Sequence, residues 1–417
     1  MDSFTEITYS MLEYNLMHLR QVIFEVTDAC NLQCKYCAYS DLYEGYDTRE
    51  NIKFPFHRAK LVVDYLYNLW SRSTPVGIDY SVTFTFYGGE PTLNMPFIKE
   101  IINYIESLPL VGRHFRYSTT TNAVLLDKYA DYFVEKDFHL LISLDGDEEG
   151  QSYRVYKDGR NSFDTVYRNV KLLQEEYPEY FASNVSFNSV IHNRNGVAAA
   201  HYFIKNEFGK DTMLSSLSPM GLRKDKQEEA DEIYCNIFKS IKETSECEAL
   251  ESDLFVSSPQ TYGLMLNIHR YSGNVYDNYS LLLLDRNKTS KFPTGTCTPF
   301  SKKMFITVNG RILQCEKIDH QFSLGSVDDE KVTLDLELIA KRYNDYVSKF
   351  IKQCEKCAMN RSCGLCIYEL DDLDKLGGTC PSFTTQKEFD TLSEQRMRYL
   401  DKHPELYPKI LRELTVK

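Results

Sequence analysis

Three thiols stand within eight residues in Cys30-Asn-Leu-Gln-Cys34-Lys-Tyr-Cys37, directly after the apolar run Val22-Ile-Phe-Glu-Val-Thr27. On a single loop they converge on one point. A structural zinc site closes its tetrahedron with four protein ligands, so three clustered cysteines leave one position open. Thiolates at close spacing also hold iron–sulfur clusters, and a 4Fe–4S cluster held by three cysteines keeps one iron free for a small molecule. That open iron is where chemistry can begin. The alternatives are a zinc knuckle with its fourth ligand elsewhere, or buried cysteines gathered by accident. With 12 Cys in 417 residues, this spacing arises by chance in about one such chain in a hundred. The loop is therefore read as functional.

The chain is long enough for a sizeable core and two domains. It is 42% hydrophobic, yet no apolar run is long enough to cross a bilayer. The first twenty residues, with Asp2, Glu6 and Glu13, lack the basic start and compact apolar stretch of a secretory signal. A cytoplasmic protein without a membrane partner is expected, and there cysteines mean metal ligation or redox work, not a disulfide scaffold. Forty-eight basic against sixty acidic residues give a net charge of −12, which argues against nucleic acid as the main partner.

Strands and helical segments alternate over residues 21–216. Strands are expected at Gln21–Thr27, Tyr80–Tyr87, Phe115–Thr120, Leu140–Leu144, Asn184–Ile191 and Thr212–Ser216. Helices are expected at Phe56–Leu69, Met95–Ser107, Lys128–Lys136, Phe163–Tyr177 and Val197–Phe208, with a sixth over Gln227–Ser240. Asn161 or Ser162 is placed to cap the fourth. Such alternation means parallel pairing with right-handed crossovers. Six units are too few for a closed eight-fold barrel, so the fold class is α/β with a partial (β/α)6 TIM-like barrel. Ligands of such sheets sit at the carboxyl ends of the strands, where the cysteine loop lies. The second strand ends in Tyr87-Gly-Gly-Glu-Pro91, with Glu90 beside two permissive glycines. The third ends in Thr119-Thr-Thr-Asn122 and the fourth in Ile142-Ser-Leu-Asp-Gly146, where Asp145 suits the turn. Asn188, in the fifth strand, is either a ligand contact or an outward-facing residue.

Cys-x3-Cys-x2-Cys with an aromatic, Tyr36, before the last cysteine resembles the signature of the radical S-adenosylmethionine (SAM) superfamily. The resemblance implies a radical SAM barrel whose 4Fe–4S cluster is held by Cys30, Cys34 and Cys37. SAM would chelate the free iron, and one electron would release a 5′-deoxyadenosyl radical. It implies further that Gly88, Gly89 and Glu90 meet the SAM amino group, and that Ser143 and Arg154 meet its ribose and carboxylate. Tyr36 and Asn188 complete the expected SAM contacts.

From residue 297 the composition changes. Seven cysteines follow: Cys297, Cys315, Cys354, Cys357, Cys363, Cys366 and Cys380. Asn309-Gly310 between Met304 and Cys315 predicts a hairpin. By residue chemistry alone the cluster could hold two zinc sites. Its spacing resembles the SPASM domain of radical SAM enzymes, which carries two auxiliary iron–sulfur clusters. That resemblance assigns Cys354, Cys357, Cys363 and Cys380 to the outer cluster and Cys297, Cys315 and Cys366 to the inner one. The last gap is two residues where three is usual, and no eighth cysteine is evident. The inner site is thus left with an open iron, a non-cysteine ligand or fewer irons. In relatives that oxidise a peptide cysteine or serine, an aspartate stands as base where this chain has Glu316. The alternative for Glu316 is a surface carboxylate.

The expected organisation is a lead-in over 1–20, the barrel over 21–216, a connecting helical region over 217–290, the SPASM domain over 291–385 and a C-terminal helix over 386–417. Within the connecting region, Lys224–Glu246 reads as a solvated helix with a stripe of Ile233, Ile237 and Ile241. The aromatic stretch Tyr262–Tyr279 lines either a groove or a core. Cys235 and Cys247 stand alone. The resemblance to SPASM enzymes implies a radical SAM oxidoreductase acting on a ribosomally made precursor peptide and forming a thioether, carbon–carbon or carbon–oxygen crosslink. It implies a low-potential donor of flavodoxin or ferredoxin type and, with only about twenty residues before the first strand, leader recognition by another surface or by a separate leader-binding protein. The rival readings are oxidation of Cys or Ser to formylglycine, as in sulfatase maturases, and a non-catalytic iron–sulfur carrier or zinc scaffold.

Overall fold

The computed structural model describes residues 5–72, 80–109, 112–271, 294–370, 373 and 379–414. They form two compact units, one of residues 9–245 with 298–339, the other of residues 1–8, 246–297 and 340–417.

The first unit is built on β1 (Gln21–Thr27), β2 (Leu32–Cys34), β3 (Ser81–Gly88), β4 (His114–Thr121), β5 (His139–Ser143), β6 (Arg154–Tyr156), β7 (Val185–Val190) and β8 (Thr212–Ser215). It continues in β9 (Lys303–Ile306), β10 (Arg311–Leu313), β11 (Gly325–Val327) and β12 (Val332–Leu334). Ten of these make one sheet in the order β12-β11-β10-β9-β1-β3-β4-β5-β7-β8, while β2 and β6 pair apart. The run from β1 to β8 is parallel, and helices cross between its strands, giving the partial (β/α)6 barrel. β1 shows why the sequence commits to this. Val22, Phe24 and Val26 are fully buried, and so are its other residues after Gln21, as a strand covered on both faces requires.

The crossover helices Phe56–Trp70, Met95–Ser107, Leu126–Glu135, Phe163–Glu176 and Val197–Phe208 fall where hydrophobic periodicity places them. Ile98, Ile101, Ile102 and Ile105 of the second are completely buried, one face laid on the sheet. Asn161 Oδ1 accepts from Phe163 N at 3.0 Å to open the fourth. Gly209, at φ 65°, closes the fifth in the left-handed conformation.

One expectation changes in this unit. The helix expected over Gln227–Ser240 is two helices, Gln227–Ile233 and Ile237–Lys242. Tyr234 turns extended, Asn193 N donates to Ile233 O at 2.9 Å, and Tyr234 bridges His192. A tertiary strand-like contact thus overrides the helical stripe. The predicted hairpin forms, with Gly310 at φ 83° in its turn. Its first strand, β9, lies parallel to β1 with Gln21 opposite Lys303, so it extends the barrel sheet.

The second unit has helices Cys247–Leu254, Pro259–Tyr271, Ile351–Cys354, Gln386–Lys402 and Leu406–Glu413. Phe255, Leu264, Met265, Ile268, Ile410 and Leu414 form its core. Thr385 and Glu388 make a reciprocal capping box at the start of Gln386–Lys402, and the single C-terminal helix expected from sequence is broken ahead of Leu406 by Pro404. In the aromatic stretch Tyr262–Tyr279, Leu264, Met265 and Ile268 are buried while Tyr262 is exposed; residues 272–279 lie outside the described residues. No helix among the described residues is long and apolar enough to cross a membrane.

Candidate active site

The cysteine loop is fixed from three sides. Leu32–Cys34 pairs antiparallel with Arg154–Tyr156, Cys34 opposite Arg154. Cys37 N donates to Cys34 O at 3.2 Å, closing the turn. From below, Gly89 N donates to Thr27 O and Glu90 N to Ala29 O, both at 2.8 Å. The close approach that the two glycines permit is therefore to the backbone leading into Cys30. A Cβ on Gly88 would stand 2.2 Å from Thr27 O, and one on Gly89 2.0 Å from Ala29 O. Gly89→Ala should accordingly cost about 1–3 kcal/mol, the usual penalty of overpacking, and release iron from the reconstituted protein; denaturant unfolding and iron assay check both.

Each sulfur environment is distinct. Leu32 N reaches Cys30 Sγ at 3.4 Å and Asn122 Nδ2 at 3.8 Å, while Arg49 Nη2 reaches Cys37 Sγ at 3.6 Å. Burial pushes the Cys34 thiol up to about 12, with the charges of Cys37 and Cys30 adding to it, and raises Cys30 as well. A thiol held that high is no nucleophile at neutral pH; it gives up its proton to a metal. Among the described residues no three His, Cys, Asp or Glu side chains gather closely enough to hold a single ion. Three partly buried thiols on one loop, with N–H donors at the sulfurs of Cys30 and Cys37, fit the donor set of an iron–sulfur cluster.

Of the expected contacts, Glu90 follows the end of β3 and Ser143 ends β5, whereas Tyr36 is in the cysteine loop, Arg154 opens β6 and Asn188 lies within β7. Glu90 is 1% exposed, and burial raises its pKa. Its Oε1 accepts from Thr92 N, Thr92 Oγ1 and Thr121 Oγ1, and its Oε2 from Asn122 N at 2.8 Å. Ser143, at the end of β5, pairs with Asn188 of β7, whose Oδ1 accepts from Ser215 Oγ at 2.6 Å. Tyr36 donates to Asp145 Oδ2. Arg154 grips Asp145 with Nε at 2.9 Å and Nη2 at 3.0 Å. Val190 N adds a fourth bond at 2.9 Å, and His192 stacks on Tyr36 with ring centroids 5.7 Å apart. Asp145, expected only to shape a turn, is a fully buried hub. Burial alone would raise its pKa, but the Arg154 guanidinium beside it, with the His192, Arg154 and Tyr36 bonds, holds it below the usual carboxylate range.

The turn after β10 brings Cys315 and Glu316 into the same unit. Burial pushes Cys315 up to about 11. Glu316 is ion-paired through both oxygens to Lys303 Nζ, each at 2.8 Å. Burial works against its charge, but the Lys303 ammonium holds its pKa below the ordinary value. Tyr46 feels the charges of both Cys315 and Cys37, and Tyr87 those of Glu316 and Cys37. The turn and the cysteine loop thus share one tyrosine-lined neighbourhood.

In the second unit, Cys354, Cys357, Cys363 and Cys380 line one cavity of about 440 Å³. Burial, then the neighbouring Cys363, Cys380 and Cys357, push Cys354 up to about 11. Thr384 N donates to Cys357 Sγ at 3.4 Å. Cys297 and Cys366 lie within electrostatic reach of each other and of Tyr343. Cys235 and Cys247 belong to neither group. Of the residues at the first site, Asn122 was visible only as a polar strand end; Arg49, Glu25 and His192 carried no motif.

Residues 24–195 match the radical SAM superfamily. The chain carries a radical SAM domain. It is 30% identical over 165 residues to a cysteine-type anaerobic sulfatase-maturating enzyme of Clostridium novyi, covering 39% of this chain and 42% of that one. It is 23% identical over 386 residues to the Clostridium perfringens (strain 13) enzyme of the same name, covering 89% of this chain and 95% of that one. The chain spans under half the length of the first two curated relatives it matches, at 42% and 45%. Among solved structures, native anSMEcpe with bound AdoMet superposes with a TM-score of 0.62 at 17% identity, over 95% of this chain and 100% of that one. Streptococcus suis SuiB bound to its precursor peptide SuiA gives 0.53 at 14%, over 89% and 78%. These likenesses give the fold, a radical SAM partial barrel with a SPASM-type cysteine-rich C-terminal part. SAM and a 4Fe–4S cluster come with the family, and the C-terminal cysteines fit auxiliary clusters.

Proposed function

We propose that this chain is a radical SAM maturase that takes a hydrogen atom from a ribosomally made precursor peptide and installs an intramolecular thioether, carbon–carbon or carbon–oxygen crosslink. The observation that carries the reading is the partly buried trio Cys30, Cys34 and Cys37 after the carboxyl end of β1, beside the buried side chains of Glu90, Ser143 and Arg154. Structures named as bound to peptides, anSMEcpe with Kp18Cys and SuiB with SuiA, support a peptide substrate.

When bound at the three cysteines, the cluster and SAM supply a 5′-deoxyadenosyl radical. The chain's own residues hold and orient. Cys30, Cys34 and Cys37 would ligate the cluster; Gly88 and Gly89 brace their loop, and Glu90, Tyr36, Ser143, Arg154 and Asn188 would contact SAM. Cys354, Cys357, Cys363 and Cys380 take the outer auxiliary cluster, and Cys297, Cys315 and Cys366 the inner. Glu316, ionised beside Lys303, would accept the proton lost as the substrate radical is oxidised, and the auxiliary clusters would take its electron. A low-potential donor of flavodoxin or ferredoxin type supplies the electron, and another surface of the chain or a separate protein reads the leader.

The second reading, oxidation of Cys or Ser to formylglycine, is favoured by the carboxylate directly after Cys315 and by the names of the relatives. Mass spectrometry of the modified peptide separates the two: a crosslink retains both side chains, whereas an aldehyde reacts with hydrazine. Cys363→Ala should retain SAM cleavage while losing product at least about tenfold, because a missing ligand disables the outer site without touching the first. Counting 5′-deoxyadenosine against modified peptide checks it; full product formation contradicts the assignment.

A further inference from the structure

Arg49 lies on no motif, yet its side chain links the first cysteine site, through Tyr39 and Glu25, to the hairpin at Val308, 283 residues on from Glu25. Its Nη2 donates to Cys37 Sγ at 3.6 Å, and its guanidinium carbon stands 4.1 Å from the centre of the Tyr39 ring. Tyr39 donates to Glu25, and Glu25 Oε2 accepts from Val308 N at 2.8 Å across those 283 residues. Glu25 is 1% exposed, and Arg49 Nε is buried without a partner among the described residues. Cys30 receives neutral donors, Leu32 N and Asn122 Nδ2; Cys37 receives a cation.

We propose that Arg49 is a positioning residue that sets the reduction potential of the cluster held at Cys30, Cys34 and Cys37, and that the Val308–Glu25–Tyr39 chain fixes where its charge sits. This rests on the proposed ligation of that cluster. Reduction adds one negative charge to the cluster. A guanidinium donating to a ligand sulfur stabilises the reduced form more than the oxidised one, and hydrogen bonds to the sulfurs are an established lever on such potentials. The ring of Tyr39 holds the guanidinium by cation–π contact, and Glu25 fixes the ring through its hydroxyl. Lysine, a compact charge without the planar fork, keeps only part of the effect.

The test is a reductive titration of the anaerobically reconstituted full chain, followed by electron paramagnetic resonance. The first cluster is recognised as the signal that changes when SAM is added. Arg49→Gln is expected to lower the reduced-to-oxidised ratio at fixed potential at least tenfold, about 59 mV for one electron, and Arg49→Lys to lower it by less. Equal midpoints for wild type and Arg49→Gln, or equal shifts for Gln and Lys, overturn the proposal. Should Arg49→Gln lose its iron, Tyr39→Phe supplies the measurement: a downward shift is expected, and an unchanged midpoint overturns the proposal. A wild-type protein whose signals ignore SAM overturns the proposed function itself, and this inference with it.

Discussion

Cys34→Ala is expected to abolish reductive cleavage of SAM, with 5′-deoxyadenosine formation falling by at least about a thousandfold, since even outer-shell partners of a metal site cost 10–100-fold. Burial pushes the Cys34 thiol up to about 12, and the residue lies in β2 directly opposite Arg154. Removing it would delete the proposed ligand that the β2–β6 pairing holds in register. Anaerobic assay with dithionite and liquid chromatography of the nucleoside gives the measurement. The reconstituted variant should also carry about one 4Fe–4S cluster fewer than wild type, which separates loss of the site from misfolding. Retained cleavage would remove the cysteine trio from the reaction.

Asp145→Leu should destabilise the first unit by about 3–5 kcal/mol, the usual consequence of breaking one half of a buried ion pair. Arg154 is 7% exposed and Asp145 0%, so the guanidinium left behind has neither partner nor water, and Tyr36 and Val190 N lose their acceptor too. Urea unfolding in the presence and absence of the substitution reads the difference. The pH dependence has a definite sign. Burial opposes the ionised form of Asp145, yet Arg154 keeps its folded pKa below the ordinary value of about 3.9. Its contribution is full above that value and disappears as the pH falls through the lower folded one. In Asp145→Leu that portion of the acid-side loss should be missing. A variant as stable as wild type, with an unchanged acid limb, would show that the hub contributes nothing.

Much of the barrel was legible because its strands are buried on both faces, so apolar runs such as Val22–Val26 mark position as well as type. Helix ends were legible where a residue has one conformational use, as with Gly209. The break at Tyr234 was not, because Ile233, Ile237 and Ile241 keep a helical period through it and the interruption comes from His192, far along the chain. The cysteine spacings announced the site, since few roles need thiols at those intervals. Asp145 and Arg49 could not be read that way. Their importance lies in what they meet, and a lone aspartate beside glycine or a lone arginine in a loop has many ordinary uses.

The pairing of β9 with β1 has a consequence for synthesis. At roughly 5–20 residues per second, the 283 residues between Glu25 and Val308 take about 15–55 s to emerge. Throughout that interval the nascent barrel presents one flank of β1 with its amide and carbonyl groups unclaimed, an adhesive surface for other chains. A ribosome-bound fragment ending near residue 245 should therefore engage chaperones, and lengthening it past residue 306 should release them.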